Sequence, residues 1–346
     1  MADRTPIEWT DATWNPITGC AVVSPGCTNC YAMRLAGTRM KHHPSRVGLT
    51  QVSKAGPVWT GEVRFNEEWL TQPLCWSKPR MIFVCAHGDL FAEGVPDEWI
   101  DRVFAVMALA PQHTFQVLTK RSERMREYLR DEWFGFRMRE VMAKLRPSPI
   151  IETLLPLPNV WLGVSVEDQR RADERIPLLL DTPAAVRWIS AEPLLSMLDV
   201  SRWLKIAWRC SSCGGYFAGR HQQVCPDCGA TGGWCGSHTF NGRKAPEHPV
   251  VPPQWGIGLD WVVAGGESGP GARLMHPTWV RSLRDQCAAA GVPFHFKQWG
   301  EWMPFEGHED VALGTEFILG DVMLAKVGKK RAGRLLDGVT HDGMPA

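Results

Sequence analysis

The stretch from Val160 to Leu180 reads VWLGVSVEDQRRADERIPLLL and predicts a buried strand followed at once by a helix. Val160 to Val166 is almost entirely apolar, and the run from Asp168 to Leu180 has the apolar spacing of a helix with one face on a core. Near-continuous apolar strands that alternate with helices are typical of a parallel sheet covered by helices. This stretch therefore predicts one strand–helix unit of an α/β fold.

The same unit recurs along the chain. Further strands are predicted at Met81–Ala86, Phe115–Leu118, Val186–Ile189, Trp261–Ala264 and Pro293–Phe296, and further helices at Pro96–Ala110, Ser122–Arg130 and Thr278–Ala290. Six such strands predict a partial or complete (β/α) barrel.

Polar side chains stand at the carboxyl end of every predicted strand. They are His87, Asp89, Thr119, Lys120, Ser165, Glu167, Glu192, Glu267, Ser268, Lys297 and Gln298. In a β/α barrel these positions converge at one mouth, which carries the active site. A single polar residue there can simply end a strand, but the six strands together favour a functional site.

Composition narrows the class of protein. The chain has 346 residues, 38 Lys and Arg against 37 Asp and Glu, 17 Trp and 11 Cys. A net charge of +1 excludes a strongly basic packaging protein. The first residues, MADRTPIEWTD, do not resemble a secretory signal, and no apolar stretch is long enough to span a bilayer. We therefore expect a cytoplasmic protein without membrane association, whose clustered cysteines hold metal rather than form disulfides.

The segment 205–251 interrupts the alternation and is rich in Cys, Gly and His. Cys210 and Cys213 form one C-x2-C pair, and Cys225 and Cys228 form a second. Two such pairs place four thiolates around one ion, usually Zn²⁺, which would supply the folding energy of so small a module. A single iron of the rubredoxin type is the alternative. The segment therefore predicts an inserted module similar to a zinc ribbon.

A second cysteine cluster lies near the N-terminus, just before a helix predicted over Tyr31–Met40. Cys20, Cys27 and Cys30 follow the spacing C-x6-C-x2-C on a loop that contains Gly and Pro. Three thiolates on a cubane [4Fe–4S] cluster leave one iron open to a substrate or cofactor. A zinc site completed by a distant residue such as His43 or Cys85 accounts for the spacing equally well.

The motif Thr18-Gly-Cys-x6-Cys-x2-Cys-Tyr-Ala32, with Trp-Asn-Pro16 before it, resembles the signature of an uncharacterised phage-associated family. That three-cysteine family is related to radical S-adenosylmethionine (SAM) enzymes and is distantly similar to spore photoproduct lyase. Further matches cover most of the chain: VLTKR at 117–121, GVSVE at 163–167, ISAEP at 189–193, GGESG at 265–269, FKQW at 296–299 and the GKKRAGRLLDG tail at 328–338.

The resemblance implies a barrel of the radical-SAM type over 1–204 and 252–304, interrupted by the zinc-ribbon-like insert at 205–251 and followed by a C-terminal extension at 305–346. It implies a [4Fe–4S] cluster on Cys20, Cys27 and Cys30, with SAM on the open iron and an electron donor such as flavodoxin or ferredoxin. The implied reaction generates a 5′-deoxyadenosyl radical. Candidate contacts to SAM are Ser165, Glu167, Asp89, Glu192 and Tyr31, and candidate catalytic residues are Lys120, Lys297 and Glu267.

Three departures from the usual radical-SAM pattern bear on whether SAM binds. Six residues rather than three separate Cys20 from Cys27, and Asn29 stands where an aromatic residue usually precedes the last cysteine. The Gly-Gly-Glu that usually holds the methionine amine is not found after the second strand, and the only one lies at 265–267.

Two basic stretches point to a polyanionic substrate. Lys120 to Arg146 contains nine basic and five acidic residues with interspersed aromatic rings, and the tail from Lys326 to Arg334 has no acidic residue. Basic and aromatic side chains together suit nucleic acid, with DNA favoured, and the candidate contacts are Arg121, Arg124, Lys329, Lys330 and Arg331. A solvated helix and a mobile tail are the alternative.

Two other classes of function remain open on the sequence alone. A non-catalytic, zinc-dependent nucleic-acid-binding protein would account for the cysteines and the basic stretches. A metal-dependent nuclease would need Asp89, Glu167, Glu192 and Glu267 to gather around Mg²⁺.

Overall fold

The computed structural model describes residues 5–146, 155–204, 258–305 and 316–345, together with the backbone of five short strands between 207 and 244. Its centre is a parallel sheet of seven strands that curls into a half-barrel. The strands lie side by side in chain order: β1 Ala12–Trp14, β2 Met81–Val84, β3 Thr114–Thr119, β4 Val160–Ser165, β5 Val186–Ala191, β6 Trp261–Gly265 and β7 Phe294–Gln298.

Six longer helices belong to the described residues: α1 Tyr31–Gly37, α2 Asp97–Leu109, α3 Ser122–Arg130, α4 Phe134–Leu145, α5 Gln169–Leu180 and α6 Pro277–Ala290. Their ends follow local chemistry. The Asp168 side chain accepts a hydrogen bond from the Arg171 amide at the start of α5, and Gly291 ends α6 in the left-handed conformation. Shorter helices are Pro25–Cys27, Glu67–Leu70, Gln72–Cys75, Ser201–Leu204 and Lys329–Ala332.

The structure confirms the six strands and the strand–helix alternation predicted from the sequence. The prediction overlooked β1, because three residues are too few for a pattern. It gave the bounds of α3 correctly but did not predict α4, which follows in the same basic stretch. The helix predicted over Tyr31–Met40 ends earlier, at Gly37.

Smaller sheets surround the half-barrel. Thr50–Ser53 pairs with Gly56–Trp59, and Ile17–Thr18 pairs with Arg64–Phe65. Near the C-terminus, Val322–Lys326 lies between Trp302–Pro304 and Glu316–Leu319. Within the insertion, Ala207–Cys210 lies between Tyr216–Ala218 and Trp234–Gly236, and Thr239–Phe240 pairs with Arg243–Lys244. The side chains of Cys210, Cys213, Cys225 and Cys228 are outside the described residues, so the zinc site stays a prediction.

The two faces of the sheet have different cores. Helices cover one face with aliphatic residues and phenylalanine, whereas the concave face is packed with tryptophan. The Trp188 ring lies 5.4 Å from Trp9 and 5.2 Å from Trp261, measured between ring centroids. The Trp261 indole donates to the Gly343 carbonyl at 2.7 Å, so the C-terminal segment helps to close the concave side. No helix among the described residues is long and apolar enough to cross a membrane.

Candidate functional site

A cavity of about 820 Å³ opens at the carboxyl ends of the strands, on the concave face of the half-barrel. Small-molecule sites typically enclose roughly 300–1,000 Å³, so this space is large enough for a small-molecule ligand. The polar residues predicted to converge here do so: His87, Asp89, Thr119, Lys120, Ser165, Glu192, Glu267, Ser268, Lys297 and Gln298 all line the cavity. Glu167 is the exception and lies behind the cysteine loop.

The three N-terminal cysteines line the same cavity. Tight turns set their spacing: the Cys27 amide donates to the Ser24 carbonyl at 2.9 Å, and the Cys30 amide donates to the Cys27 carbonyl at 3.3 Å. All three are free thiols. Burial, and then the carboxylate of Asp89, raises the pKa of Cys20 to about 12. A thiolate at Cys20 therefore requires a positive partner such as a metal centre.

The cavity contains cysteine and histidine side chains of the types that act as metal ligands. Within the described ranges, no three His, Cys, Asp or Glu side chains gather closely enough to hold one metal ion. Three free thiols are the donor type that an iron–sulfur cluster uses. Cys85 and His43, the alternative ligands for zinc, also line the cavity, but Cys85 is fully buried and bonds to the Ile17 backbone.

Arg121 joins the loop after β3 to the first cysteine. Its guanidinium donates to the Cys20 sulfur at 3.3 Å, to Asp89 at 3.2 Å and to both carboxylate oxygens of Glu93. The side chain is only 6% exposed. The sequence analysis assigned Arg121 to a nucleic-acid surface, but the structure places it in the cavity wall, where its charge can stabilise a thiolate.

Asp89 is an organising residue. Its carboxylate accepts hydrogen bonds from the Phe91 and Lys120 amides and from the Thr119 hydroxyl, in addition to Arg121. Because these four donors occupy both oxygens, Asp89 shapes the wall of the cavity.

Glu167 holds the cysteine loop from behind. Its carboxylate accepts from the Gly26 amide at 3.2 Å and from Arg175 at 3.1 Å, and the side chain is 1% exposed. Burial alone would raise the pKa of Glu167, but a hydrogen bond from Ser24 and the charge of Arg175 hold it below the ordinary value. The structure thus assigns Glu167 a positioning role, in place of the predicted contact to SAM.

The Gly-Gly-Glu segment at 265–267 lies against the same loop. The Asn29 amide donates to Glu267 at 2.8 Å and to the Gly271 carbonyl at 2.9 Å. Arg273 also donates to Glu267. Burial would raise the pKa of Glu267, but the hydrogen bonds from Arg273 and Asn29 keep it below its ordinary value. Asn29, the residue that departs from the radical-SAM pattern, therefore fastens the cysteine loop to the loop after β6.

Polar and charged groups after β5 and at the end of β7 pair with one another. Lys297 donates to Glu192 at 2.9 Å, and Gln298 donates to the other Glu192 oxygen at 3.0 Å. Lys120 lines the cavity without an ion-pair partner in the part of the chain that the structure describes. Tyr31 donates its hydroxyl hydrogen to the Ala86 carbonyl, and its ring lies edge-on to His87.

The remaining basic candidates are distributed unevenly. Arg124 donates to the carbonyls of Ala92 and Val95 and pairs with Asp97, so it serves the fold. The tail is folded: Lys329 begins a short helix and lines the cavity, while Lys330 and Arg331 are exposed beside it.

The site also contains four arginines that the sequence analysis missed, namely Arg39, Arg46, Arg175 and Arg273. Arg46 lies in a loop without periodicity, so no local pattern marks it. Arg175 lies eight residues after Glu167, on the helix that follows it. This spacing points to Arg175 only if Glu167 is first taken as a site residue.

The fold and site define the class: an α/β half-barrel protein with a three-cysteine cavity at the carboxyl ends of its strands. The chain belongs to the DUF5131 family of proteins of unknown function, whose model matches residues 4–345. Neither the curated proteins nor the solved structures contain a match.

Proposed function

We propose that this chain is a radical SAM enzyme that holds a [4Fe–4S] cluster on Cys20, Cys27 and Cys30 and acts on nucleic acid, with DNA favoured. One observation carries the proposal: three free thiols share a cavity of cofactor size with the polar ends of all seven strands. The proposal includes a barrel of the radical-SAM type and a zinc-ribbon-like module between its two parts.

Three thiols on one loop suit a cluster that keeps one iron open for SAM. When bound, the cluster would supply the single electron that cleaves the sulfonium of SAM, received from a donor such as flavodoxin or ferredoxin. The Arg121 guanidinium, 3.3 Å from the Cys20 sulfur, offsets negative charge at the thiolates. Glu167 and Asn29 keep the cysteine loop in place from two sides.

The cavity is lined by both apolar and charged side chains. Trp9, Phe83 and Leu118 give part of the cavity an apolar lining, which favours the exclusion of water during a reaction. Lys120 offers a positive charge to an anionic substrate, and the Glu192–Lys297 pair lines the same cavity as the cysteines, where it can orient polar groups. Exposed Lys330 and Arg331, beside Lys329 at the cavity, extend a positive path outward.

The carboxylates do not favour the nuclease alternative. Asp89, Glu167, Glu192 and Glu267 each bond to an arginine or a lysine. A Mg²⁺ site needs several carboxylate oxygens directed at one ion rather than at cationic side chains.

The test is anaerobic reconstitution of the full chain with iron and sulfide, followed by addition of SAM and a reductant. We expect about four irons per chain, a brown chromophore and release of 5′-deoxyadenosine. Cys27→Ala should lose the iron but keep the zinc of the insertion. Cys75→Ala is the matched control, because Cys75 is a free, exposed thiol outside the cavity. A colourless wild type with zinc at both cysteine clusters would instead support the zinc-dependent binding protein.

A further inference from the structure

Arg46 is a buried cation with no carboxylate partner in the part of the chain that the structure describes. It follows α1 in the chain, lines the cavity and is 2% exposed. Its guanidinium donates to the Ser45 carbonyl and hydroxyl and to the His87 ring, at 3.0, 2.8 and 2.6 Å, and faces the Trp69 ring at 5.9 Å. Over the described ranges, no carboxylate lies within ion-pair distance of it.

The surroundings add positive charge. Arg64 is near enough that, after burial itself, its charge lowers the pKa of Arg46 to about 10, which leaves Arg46 protonated at neutral pH. Arg64 donates to the backbone carbonyls of Pro44 and Val47. A buried charge without an opposite charge nearby destabilises a fold. Its presence in a cavity wall therefore points to an anion that arrives with a ligand.

Two histidines are oriented as further donors. Arg46 donates to Nδ1 of His87, which places the ring hydrogen on Nε2. The Ser45 amide donates to Nδ1 of His43 at 3.2 Å, with the same result. Both rings line the cavity, and neither Nε2 has a partner among the residues described. Arg39, which lines the cavity as well, is likewise unpaired within those ranges.

We propose that Arg39, His43, Arg46 and His87 form a basic pocket that binds a phosphate group of the substrate beside the cysteine loop. The pocket contains donors and no carboxylate, which suits an oxyanion. The Thr18 hydroxyl donates to the Ser45 carbonyl at 2.8 Å, so the pocket adjoins the chain just before Cys20. This inference specifies which part of the substrate binds at the proposed site. That the phosphate belongs to a nucleotide rests on the proposed function.

Calorimetric titration of the full chain tests the pocket, with inorganic phosphate, a deoxynucleoside monophosphate, the unphosphorylated nucleoside and S-adenosylhomocysteine as separate probes. We expect phosphate and the monophosphate to compete for one site and the nucleoside to bind at least roughly tenfold more weakly. If S-adenosylhomocysteine displaces inorganic phosphate, the pocket holds the cofactor carboxylate, and the assignment to the substrate is wrong.

Arg46→Met should weaken phosphate binding by roughly tenfold or more, which is the usual effect of losing a charged hydrogen bond. Arg202→Met is the matched control, because Arg202 also stacks on an indole, 4.1 Å from the Trp203 ring, but outside the cavity. Should Arg46→Met not fold, the double variant Arg39→Ala, His43→Ala changes only exposed side chains and should show the same loss.

Undiminished phosphate binding in these variants, or none in the wild type, would overturn the pocket. Because binding is measured without turnover, a chain that lacks iron but binds phosphate would refute the proposed chemistry alone.

Discussion

Glu167 shows how a single buried side chain can govern the cysteine loop without touching a ligand. It joins the Gly26 amide to Arg175, which anchors the loop to α5. A β-carbon added at Gly26 would approach the Glu167 carboxyl carbon to 3.0 Å, so the loop needs glycine there.

We predict that Glu167→Gln destabilises the chain by roughly 3 kcal/mol, because it leaves Arg175 buried without its charged partner. Iron incorporation should fall in parallel, since the loop is no longer held. Denaturant unfolding and iron analysis measure the two effects. Glu174→Gln, on the exposed side of α5, should change neither. If the two variants behave alike, Glu167 does not position the loop.

At the scale of elements, the loop after β1 packs closely against the loop after β2. This contact fixes the position of the chain just before Cys20. The Gly19 amide donates to the His87 carbonyl, and Gly19 forms a parallel bridge with Gly88. Gly19 has a φ of +94°, and a β-carbon there would lie 2.2 Å from the Glu62 carbonyl oxygen. Position 19 therefore requires glycine, both for its positive φ and because a β-carbon would collide with the Glu62 backbone.

Gly19→Ala should destabilise the chain by about 3 kcal/mol, since backbone strain and overpacking act together. It should also displace Cys20 and lower the iron content. Gly48→Ala separates the two causes, because Gly48 has a φ of +82° but open space around it. We expect that control to lose about 1 kcal/mol and to keep its iron. Equal losses in denaturant unfolding would mean that the close contact is unimportant.

At the scale of the whole molecule, the C-terminal segment completes the half-barrel. The Gly343 amide donates to the Phe294 carbonyl, and the Phe296 amide donates to the His341 carbonyl. The C-terminal segment therefore pairs alongside the edge strand β7. His295 is 2% exposed beneath it. Burial, and then the charge of Arg334, lowers the pKa of His295 to about 4.

This shift predicts a loss of stability in mild acid. The ordinary pKa of histidine is 6.5, so His295 in the unfolded chain becomes protonated below that pH. In the folded chain it becomes protonated only near pH 4. Stability should therefore fall as the pH drops through this window, by up to roughly 3 kcal/mol for one such histidine. His295→Gln should flatten that dependence in denaturant titrations, although His87 contributes a similar share. His42→Gln, which changes an exposed histidine, should leave the slope as it is.

Several features of this protein could be predicted from the amino-acid sequence alone. Buried parallel strands are continuous apolar runs, so six of the seven strands were predicted, and α3 was predicted with the bounds that it has. The convergence of strand-end residues also followed, because parallel strands present their carboxyl ends at one edge. The C-x6-C-x2-C spacing placed three thiols in one loop.

Only the tertiary structure decided which of these polar residues face the cavity and which hold it together. Glu167 and Asp89 resemble ligand contacts in the sequence, yet their neighbours in space are arginines and amide groups. Arg121 looked like a surface cation and is buried beside Cys20. Asn29 and Glu267 are 238 positions apart in the chain and are hydrogen-bonded. Local patterns report burial and periodicity, whereas the partner of a buried charge is set by loops that meet only after the sheet has formed.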